Sequence, residues 1–517
     1  MERTLSWVSK KSSPGFVTWL TLTLSRDWFP GDEKNKYAVS TWLFLRVLAL
    51  IYLFQFISLS TQVIGLIGNQ GIAPAGEVIT LAIKEHAAVA MLRYPTLFWY
   101  GTPDFLMLGV CCLGVLASIL LFVGIFAGAA LIALYVCFLS CASVGGEFFS
   151  FIGDRLLLEA GFLAMFLTSF RLWMPFRRTP SPPKMVRYLL WWLLFRIHVQ
   201  SAIYDCADAT HYAGALSFSA LFYQNQSLPS WPSWYLHQLP APFHWIYASL
   251  WLAVRIVCSV LIIAPRQHRH RAALVFVLFE LIPFLAGNYT HFSLTVMALC
   301  LFLLDDAFWI ELLPLARERI EQLAGNKYRG FSVVTRRTVL SILLALTGLH
   351  FGQSFFPSAA RFTNLNSLLA IFSSFGVVDR YAFEFTQEEF RPELRVEGSP
   401  DGENWRPYEF HWKPESPKRL SPILASHHPR LDWQMAYAAG SPASKTEWVS
   451  RFCHRLLEGS APVLDLLQEN PFPYSTPQVV RILRYEHRFT EISTKDEGWW
   501  TPPSGSKDTL YMECRKP

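Results

Sequence analysis

Long apolar stretches are the feature that most limits what this chain can fold into. A stretch of about 20 mostly apolar residues can cross a bilayer as a helix, because the helix satisfies its backbone polar groups within the segment. The chain holds about nine such stretches, near 41–60, 105–123, 126–144, 155–173, 186–204, 243–264, 271–286, 290–305 and 336–355. The seventh and eighth are short. The sequence therefore predicts a polytopic α-helical membrane protein with about nine spans or re-entrant helices.

Composition agrees with a membrane protein and excludes other classes. Of 517 residues, 16% are charged and 15% are aromatic, whereas ordinary globular chains carry about 25% charged residues. This composition excludes disordered, collagen-like and coiled-coil chains. Because the net charge of +6 comes without a run of Lys and Arg interleaved with aromatic residues, we expect the lipid bilayer as a partner and no nucleic acid.

The charge of the loops predicts the orientation. Lys and Arg concentrate in the N-terminal tail and in segments 171–187, 266–271 and 306–337, whereas segment 205–242 contains neither. With nine spans, the basic segments all fall on one side. Because basic loops stay in the cytoplasm, the N-terminus is predicted to be cytoplasmic, with 205–242 and the C-terminal domain on the other side.

Three regions follow from these patterns. Residues 1–40 are predicted to be a cytoplasmic tail with an interfacial helix, 41–355 a multi-helix transmembrane domain, and 356–517 a lumenal or periplasmic domain. In that last region, Arg391–Trp412 is typical of a β-hairpin, since Pro400-Asp401-Gly402 favours a turn. Residues 483–489 alternate in the manner of a half-buried strand. The expected extramembrane domain is β-rich α+β.

Several motifs then occur in a fixed order. The first span reads LFLRVLALIYLFQFISL and is followed by GLIGNQGIAPA, FSFIGDRLLLEAGFLAMFL, PSWYLHQLP, GNYTHFSLTVMALCLFLLDD, RPELRVEGSPDGENWRPYEF and HHPRLDWQMAYAA. With these motifs the chain resembles the lipase maturation factor family. The residues that carry the most specific motifs are Gly287, Asn288, Tyr289, Phe292, Asp305, Asp306, Arg430, Asp432 and Trp433.

The resemblance implies a function. It implies a membrane protein that helps secretory client proteins, such as lipases, to fold, assemble or mature, in the endoplasmic reticulum of a eukaryote or the inner membrane of a bacterium. The transmembrane half is distantly similar to vitamin K-dependent carboxylases, which implies the alternative of a membrane-embedded enzyme acting on a lipid or protein substrate. The chain departs from the family pattern at Asp205, at 221–224, at Arg255 and at Glu280.

Charged residues inside predicted spans are candidates for chemistry, because a charge in the bilayer core is costly without a partner or a cavity. They could form a polar pocket for a client segment, a lipid head group or a substrate, or ion pairs that hold the helices in register. We favour ion pairs, since Arg255 and Glu280 lie on adjacent spans and both depart from the family. The residues concerned are Arg46, Glu159, Arg196, Arg255 and Glu280, with His198 beside Arg196.

The enzymatic alternative would use Glu159, Arg196, His198 and Asp205. Motifs of serine hydrolases, zinc proteases, nucleotide-binding proteins and thioredoxin-like oxidoreductases are missing from the sequence. We therefore predict no catalytic residue, cofactor or metal, and we favour a chaperone-like scaffold.

Three smaller features complete the predictions. Asn225 begins a glycosylation sequon in the loop without Lys or Arg, and Asn288 is expected to cap its own turn. Asp305 and Asp306 are expected to form a helix-end charge pair facing nearby Arg residues. A disulfide between two of Cys206, Cys453 and Cys514 could form outside the cytoplasm.

Exchange of Arg255 and Glu280 tests their predicted pairing. We expect the double variant Arg255→Glu/Glu280→Arg to keep its expression and thermal stability, whereas each single reversal places like charges together in lipid and lowers both. Both quantities can be measured by size-exclusion chromatography of heated, detergent-solubilised protein. Unchanged stability of both single variants would refute the pairing.

Overall fold

The computed structural model describes residues 36–207, 219–323, 326, 328, 330–355, 363–381, 389–502 and 508–516. The predicted interfacial helix of the N-terminal tail falls in residues 1–35, outside the described residues. Each of the predicted apolar stretches contains a helix.

The described residues of the N-terminal half form helices that are numbered in chain order. The first group is α1 (Ala38–Ser60), α2 (Val63–Ile67), α3 (Ala75–His86), α4 (Ala90–Arg93), α5 (Asp104–Val123), α6 (Ala127–Val144), α7 (Ile152–Met165) and α8 (Lys184–Ala207). The second group is α9 (Ser219–Gln224), α10 (Trp231–His237), α11 (Ala241–Leu261, with a π-helical turn at Val254–Cys258), α12 (Arg266–Ala286), α13 (Thr290–Cys300), α14 (Asp306–Leu312), α15 (Arg317–Leu323), α16 (Val333–Gly352) and α17 (Thr363–Ser374).

Five of the described helices, α1, α5, α6, α11 and α16, are long and apolar enough to cross a membrane. A sixth span results if Thr290–Leu303 and Asp306–Leu312, which are bent by 95°, are counted as one. The prediction of a polytopic helical membrane protein is confirmed. The fourth predicted stretch, 155–173, differs from its prediction, because α7 ends at Met165 after 14 residues and is shorter than a bilayer requires.

The core of the bundle forms where α1 contacts α5, α6 and α7. Tyr52 and Phe56 of α1 pack against Phe138 of α6, with ring centroids 5.9 Å apart in both contacts. The α5 helix approaches closely because Gly114 leaves space for Phe56, and a Cβ there would lie 2.4 Å from the Phe56 ring. Small residues at helix contacts are a common way for membrane helices to pack.

The basic segments meet at the end of the bundle where α1 begins, which we call the basic end. Arg187 and Arg269 both lie over the Tyr37 ring, at 4.5 Å and 5.9 Å, and Asn326 donates to the Arg177 carbonyl at 2.8 Å. The structure therefore brings together segments that the charge pattern predicted to share one side.

The C-terminal part is an α+β domain, as predicted. Its elements are β1 (Arg391–Ser399), β2 (Arg406–Pro407), β3 (Glu409–Phe410), α18 (Arg430–Ala439), α19 (Glu447–Glu458), α20 (Ala461–Leu464), β4 (Leu467–Glu469), β5 (Val479–Phe489), β6 (Trp500–Thr501) and β7 (Thr509–Arg515). The main sheet runs β2-β1-β5-β6, β7 also pairs with β5, and all pairs are antiparallel.

The predicted hairpin and strand of this domain are confirmed. In the hairpin, Gly398 pairs with Arg406 across the turn, and Gly402 in that turn has a φ of +84°, which a residue without a Cβ adopts without strain. The predicted strand 483–489 lies within β5, which begins earlier, at Val479, because its first half pairs with both β1 and β7.

Two glycines of α5 offer a matched test of the close contact with α1. Gly114→Ala is expected to destabilise the protein by about 1–3 kcal/mol, because the added methyl group overpacks against Phe56. Gly109→Ala, whose Cβ would meet nothing within 4 Å, is expected to be neutral or slightly stabilising. Thermal unfolding in detergent distinguishes the two, and equal stability of both variants would contradict this packing.

Candidate functional site at the seam between the two halves

A buried ion pair joins the C-terminal domain to the helical half. The Arg430 guanidinium at the start of α18 donates to both carboxylate oxygens of Asp154 in α7, at 2.7 Å and 2.8 Å. Both side chains are 1% exposed. We call this contact and the residues packed around it the seam.

The remaining hydrogen-bonding capacity of this pair is used by neighbours. His291 at the start of α13 lies 3.1 Å from Asp154 Oδ1, and Arg430 also donates to the Phe148 carbonyl at 2.7 Å. The guanidinium packs over the Phe149 ring at 3.8 Å. A buried charge pair is stable only with such good geometry and additional partners, so the seam meets the condition for keeping two charges away from water.

The two most specific motifs meet at the seam. Tyr289 and Trp433 pack edge to face with ring centroids 5.7 Å apart, and both are buried, as is Phe292. Gly287 lies just before Asn288 and Tyr289 in the chain, and a Cβ at Gly287 would lie 2.5 Å from Gln226 Oε1. The motifs GNYTHF and PRLDWQM, which are far apart in the sequence, therefore form one contact.

Asn288 has a different role from the predicted one. Its side chain donates to the carbonyls of Leu228 and Pro422 at 2.8 Å and 3.0 Å and accepts from the Leu424 N–H at 2.8 Å. Asn288 has a φ of +54°, a left-handed conformation that Asn tolerates better than most residues. The residue therefore bridges three segments across the seam instead of capping its own turn.

Asp432 and His428 support the seam from the C-terminal side. Asp432 Oδ1 accepts the backbone N–H groups of Trp412 and Lys413 at 2.8 Å and 3.0 Å, and burial raises the pKa of this carboxyl to about 7. Burial also lowers the pKa of His428 well below its usual range, which keeps the imidazole neutral where it stacks on Phe151.

Asp305 and Asp306 lie at the basic end. Asp305 forms an ion pair with Arg266 at 2.9 Å, which agrees with the predicted charge pair, and it caps α14 by accepting the Phe308 N–H. Asp306 instead accepts the N–H groups of Ala38 and Val39 at 3.1 Å and 2.9 Å. It therefore caps the first helix, an anion position that a helix N-terminus favours.

The predicted intramembrane charge network is divided among separate places. Glu159 and Arg196 form a buried ion pair, and Glu159 also accepts the Tyr381 hydroxyl at 2.7 Å. Close by, Arg155 pairs with Asp379 at 2.6 Å. Tyr381 and Asp379 follow residue 355 in the chain, so sequence reasoning assigned them to the C-terminal domain and missed their part in this cluster.

Carbonyl groups and an aromatic ring compensate the charge of Arg46. Its guanidinium donates to the carbonyls of Leu121 and Met174 at 2.6 Å and 3.4 Å and lies 5.3 Å over the Trp42 ring. Leu121 is in the last turn of α5, where a helix exposes carbonyls that a cation stabilises.

Arg255, Glu280 and His198 line one buried cavity of about 20 Å³, which has room for one water molecule. His198 stacks on Phe276 at 4.1 Å, and Arg255 lies over Trp251 at 4.6 Å. Within the described part of the chain, Glu280 Oε2 and His198 Nε2 have no hydrogen-bond partner. Direct pairing of Arg255 with Glu280 stays a prediction.

Two other predicted residues add little to the site. The side chain of Asp205 lies outside the described residues. Asn225 is half-buried, and the segment around it is held by Arg391, which donates to the Gln224 and Ser227 carbonyls at 2.8 Å. The Oδ1 atom of Asn225 is buried, and its glycosylation stays a prediction.

Comparisons with known proteins place both halves in one family. The model of the lipase maturation factor transmembrane domain matches residues 39–311, and that of the lipase maturation factor C-terminal domain matches 377–506. Lipase maturation factor 2 of Gallus gallus is 29% identical, over 89% of this chain and 79% of the relative. Lipase maturation factor 1 of Mus musculus is 26% identical, over 92% and 88%. No solved structure matches the chain.

Removal of one partner of the seam ion pair tests its importance. Arg430→Met or Asp154→Leu alone should lower stability by about 3–5 kcal/mol, because each leaves an uncompensated buried charge, while the double variant should recover much of this loss. Thermal unfolding in detergent measures all three.

The pair Arg451–Glu77, at 3.8 Å with both side chains partly exposed, provides the matched control. Arg451→Met should cost less than about 1 kcal/mol, since an exposed ion pair contributes little. Single seam variants as stable as this control would show that the buried pair does not hold the two halves together.

Proposed function

The chain belongs to the lipase maturation factor family, and on that premise we propose that it assists the folding, assembly or maturation of secretory client proteins such as lipases. It does so as a chaperone-like scaffold in the membrane, which is that of the endoplasmic reticulum in a eukaryotic host and the inner membrane in a bacterial one. The observation that carries this proposal is that the motif residues join the two halves of the protein. Tyr289, Asn288, Arg430 and Trp433 hold the C-terminal domain on the helices.

The proposed orientation places the C-terminal domain outside the cytoplasm. Its contacts are with the end of the bundle opposite the basic end: Ser426 accepts from Gln55 near the end of α1, and Ser460 donates to the Gln70 carbonyl beyond it. Since basic segments stay on the cytoplasmic side, this domain would face the compartment through which secretory clients pass.

A cleft beside the seam is our proposed contact for a client segment. It has a volume of about 310 Å³ and is lined in part by Arg93, Ser143, Asp154, Arg155 and Ser374. Arg93 is exposed, so it can pair with an acidic group of a client. The aromatic residues Trp433 and Trp500 are buried and belong to the core.

A membrane-embedded enzyme related to the carboxylases remains the alternative. Of its candidate residues, His198 lines a cavity together with Arg255 and Glu280, whereas Glu159 and Arg196 pair with each other. One water molecule fills a cavity of about 20 Å³, whereas ligand sites commonly have volumes of about 300–1,000 Å³. The cleft therefore supports the scaffold better than the cavity supports an enzyme.

Deletion and complementation distinguish the two functions. In host cells that lack the chain, we expect the secreted activity of a dimeric lipase to fall and the wild-type chain to restore it. Arg93→Glu should weaken co-purification of the lipase about fivefold, which corresponds to a lost contact of about 1 kcal/mol. At equal chain abundance, Glu280→Gln and His198→Asn should restore secretion as the wild type does, because a scaffold needs no acid or base there.

The control is Lys418→Glu, which changes an exposed cation that does not line the cleft. It should bind the lipase as the wild type does, at equal chain abundance on an immunoblot. Loss of secreted lipase activity in the Glu280 and His198 variants, with normal chain abundance, would instead support the enzyme. Unchanged lipase secretion after deletion would contradict the scaffold.

A further inference from the structure

Two cysteines from separate parts of the C-terminal domain lie in contact. Cys453 is on α19 and Cys514 is on β7, and both side chains are buried. The Cys453 thiol lies 3.7 Å from the Val480 carbonyl of β5, and Cys514 pairs with Val480 across the sheet. The two cysteines lie next to each other where α19 packs on β5 and β7.

The packing of α19 on the sheet accounts for this contact. The inward face of α19 carries Trp448, Val449, Phe452, Cys453 and Leu456, all buried. Residues paired across an antiparallel sheet project to the same side, so Cys514 shares the face of Val480 that α19 covers. The buried face of α19 and the covered face of β7 therefore bring the two cysteine side chains together.

We propose that Cys453 and Cys514 form a disulfide in the mature protein, which fastens the last strand to α19. The inference rests on the orientation in the proposed function, because disulfides persist outside the cytoplasm and are rare within it.

The oxidant would be a disulfide-carrying thiol oxidoreductase of that compartment, or oxidised glutathione. The Cys514 thiolate attacks one sulfur of the oxidant's disulfide and forms a mixed disulfide, and one thiolate of the oxidant leaves. The Cys453 thiolate then attacks the Cys514 sulfur and expels the second oxidant thiolate. Two electrons pass to the oxidant, and the two cysteine protons are taken up by its thiolates.

Local electrostatics agree with this order of steps. The neighbouring Cys453 thiol lowers the pKa of Cys514, whereas the neighbouring Cys514 thiol and burial raise the pKa of Cys453. Cys514 also lies near the end of β7, most of whose residues are exposed or half-buried. It is therefore the thiol that an oxidant would meet first.

The disulfide would hold a strand that is otherwise weakly fastened. Along β7 most residues are exposed or half-buried, and the strand pairs with β5. A cross-link between positions so far apart in the sequence removes much of the freedom of the unfolded chain. It would keep β7 in the sheet during contact with clients.

Peptide mapping tests the proposal in the full-length protein. Cells are lysed in N-ethylmaleimide, and the chain is digested with trypsin without reductant. The expected product links Phe452–Arg455 to Asp508–Arg515 and separates into the two peptides on reduction. Alkylation of both cysteines in the mature chain would overturn the proposal.

A second contacting pair provides an internal control. Cys111 and Cys141 are also buried neighbours, on the packed helices α5 and α6, but lipid excludes thiolates and oxidoreductases there. Both fall in the single tryptic peptide 94–155, and we expect both to be reduced and alkylated in that peptide. A link at this pair alone would overturn the assignment.

Oxidation of purified protein distinguishes the contact between Cys453 and Cys514 from the orientation of the domain in the membrane. Reduced, detergent-solubilised protein is treated with oxidised glutathione and mapped in the same way. A link that forms here but not in cells would overturn the disulfide in the mature protein and indicate a reducing compartment, against the proposed orientation. A link that forms in neither would overturn the contact itself and leave the orientation untouched.

Serine variants distinguish a disulfide bond from non-covalent packing of the two thiols. Cys453→Ser, Cys514→Ser and the double variant should each lower the unfolding midpoint by roughly 5–10 °C. The three losses should be equal, because one bond is lost in each case. Dithiothreitol should lower the wild-type midpoint to the same value. Additive losses, or a wild-type midpoint that ignores dithiothreitol, would contradict the disulfide.

Discussion

The buried ion pair between Arg430 and Asp154 is the interaction on which the arrangement of the two halves depends. Burial of either charge without the other has a large desolvation cost. This cost favours the arrangement in which the C-terminal domain brings Arg430 to Asp154. His291, Phe148 and Phe149 complete the environment from the helical half. Two of the family motifs meet around this pair, so residues from two distant parts of the chain form one contact.

Charges inside the helical half are accommodated in physically different ways. Arg196 pairs with Glu159, and the Glu159 carboxylate also accepts the Tyr381 hydroxyl. Arg46 donates to carbonyls at a helix end, which supply partial negative charge without an acidic residue. Glu280 lies beside a cavity that can hold one water molecule. Lipid demands that each charge be compensated, but it does not prescribe the compensating group.

Much of the fold could be predicted from the sequence, because the relevant signals are local. Apolar length indicated the spans, Pro400-Asp401-Gly402 indicated the hairpin turn, and alternation indicated the strand that lies in β5. The site was less predictable. Asn288 was expected to cap its own turn and Asp306 to face nearby Arg residues, yet each bonds to segments far away in the chain. Nothing in the neighbouring residues carries that information, since a side chain bonds to whatever packing brings within reach.

By itself, then, the sequence determined the membrane class, the grouping of basic segments, the α+β character of the C-terminal domain and the resemblance to one family. Only the tertiary structure decided that Arg430 meets Asp154, that Tyr381 closes on Glu159, and that Cys453 rather than Cys206 lies against Cys514. The physical reason is that hydropathy and turn preference act over a few neighbouring residues. The partner of a buried charge or thiol is set by long-range packing of elements that are distant in the chain.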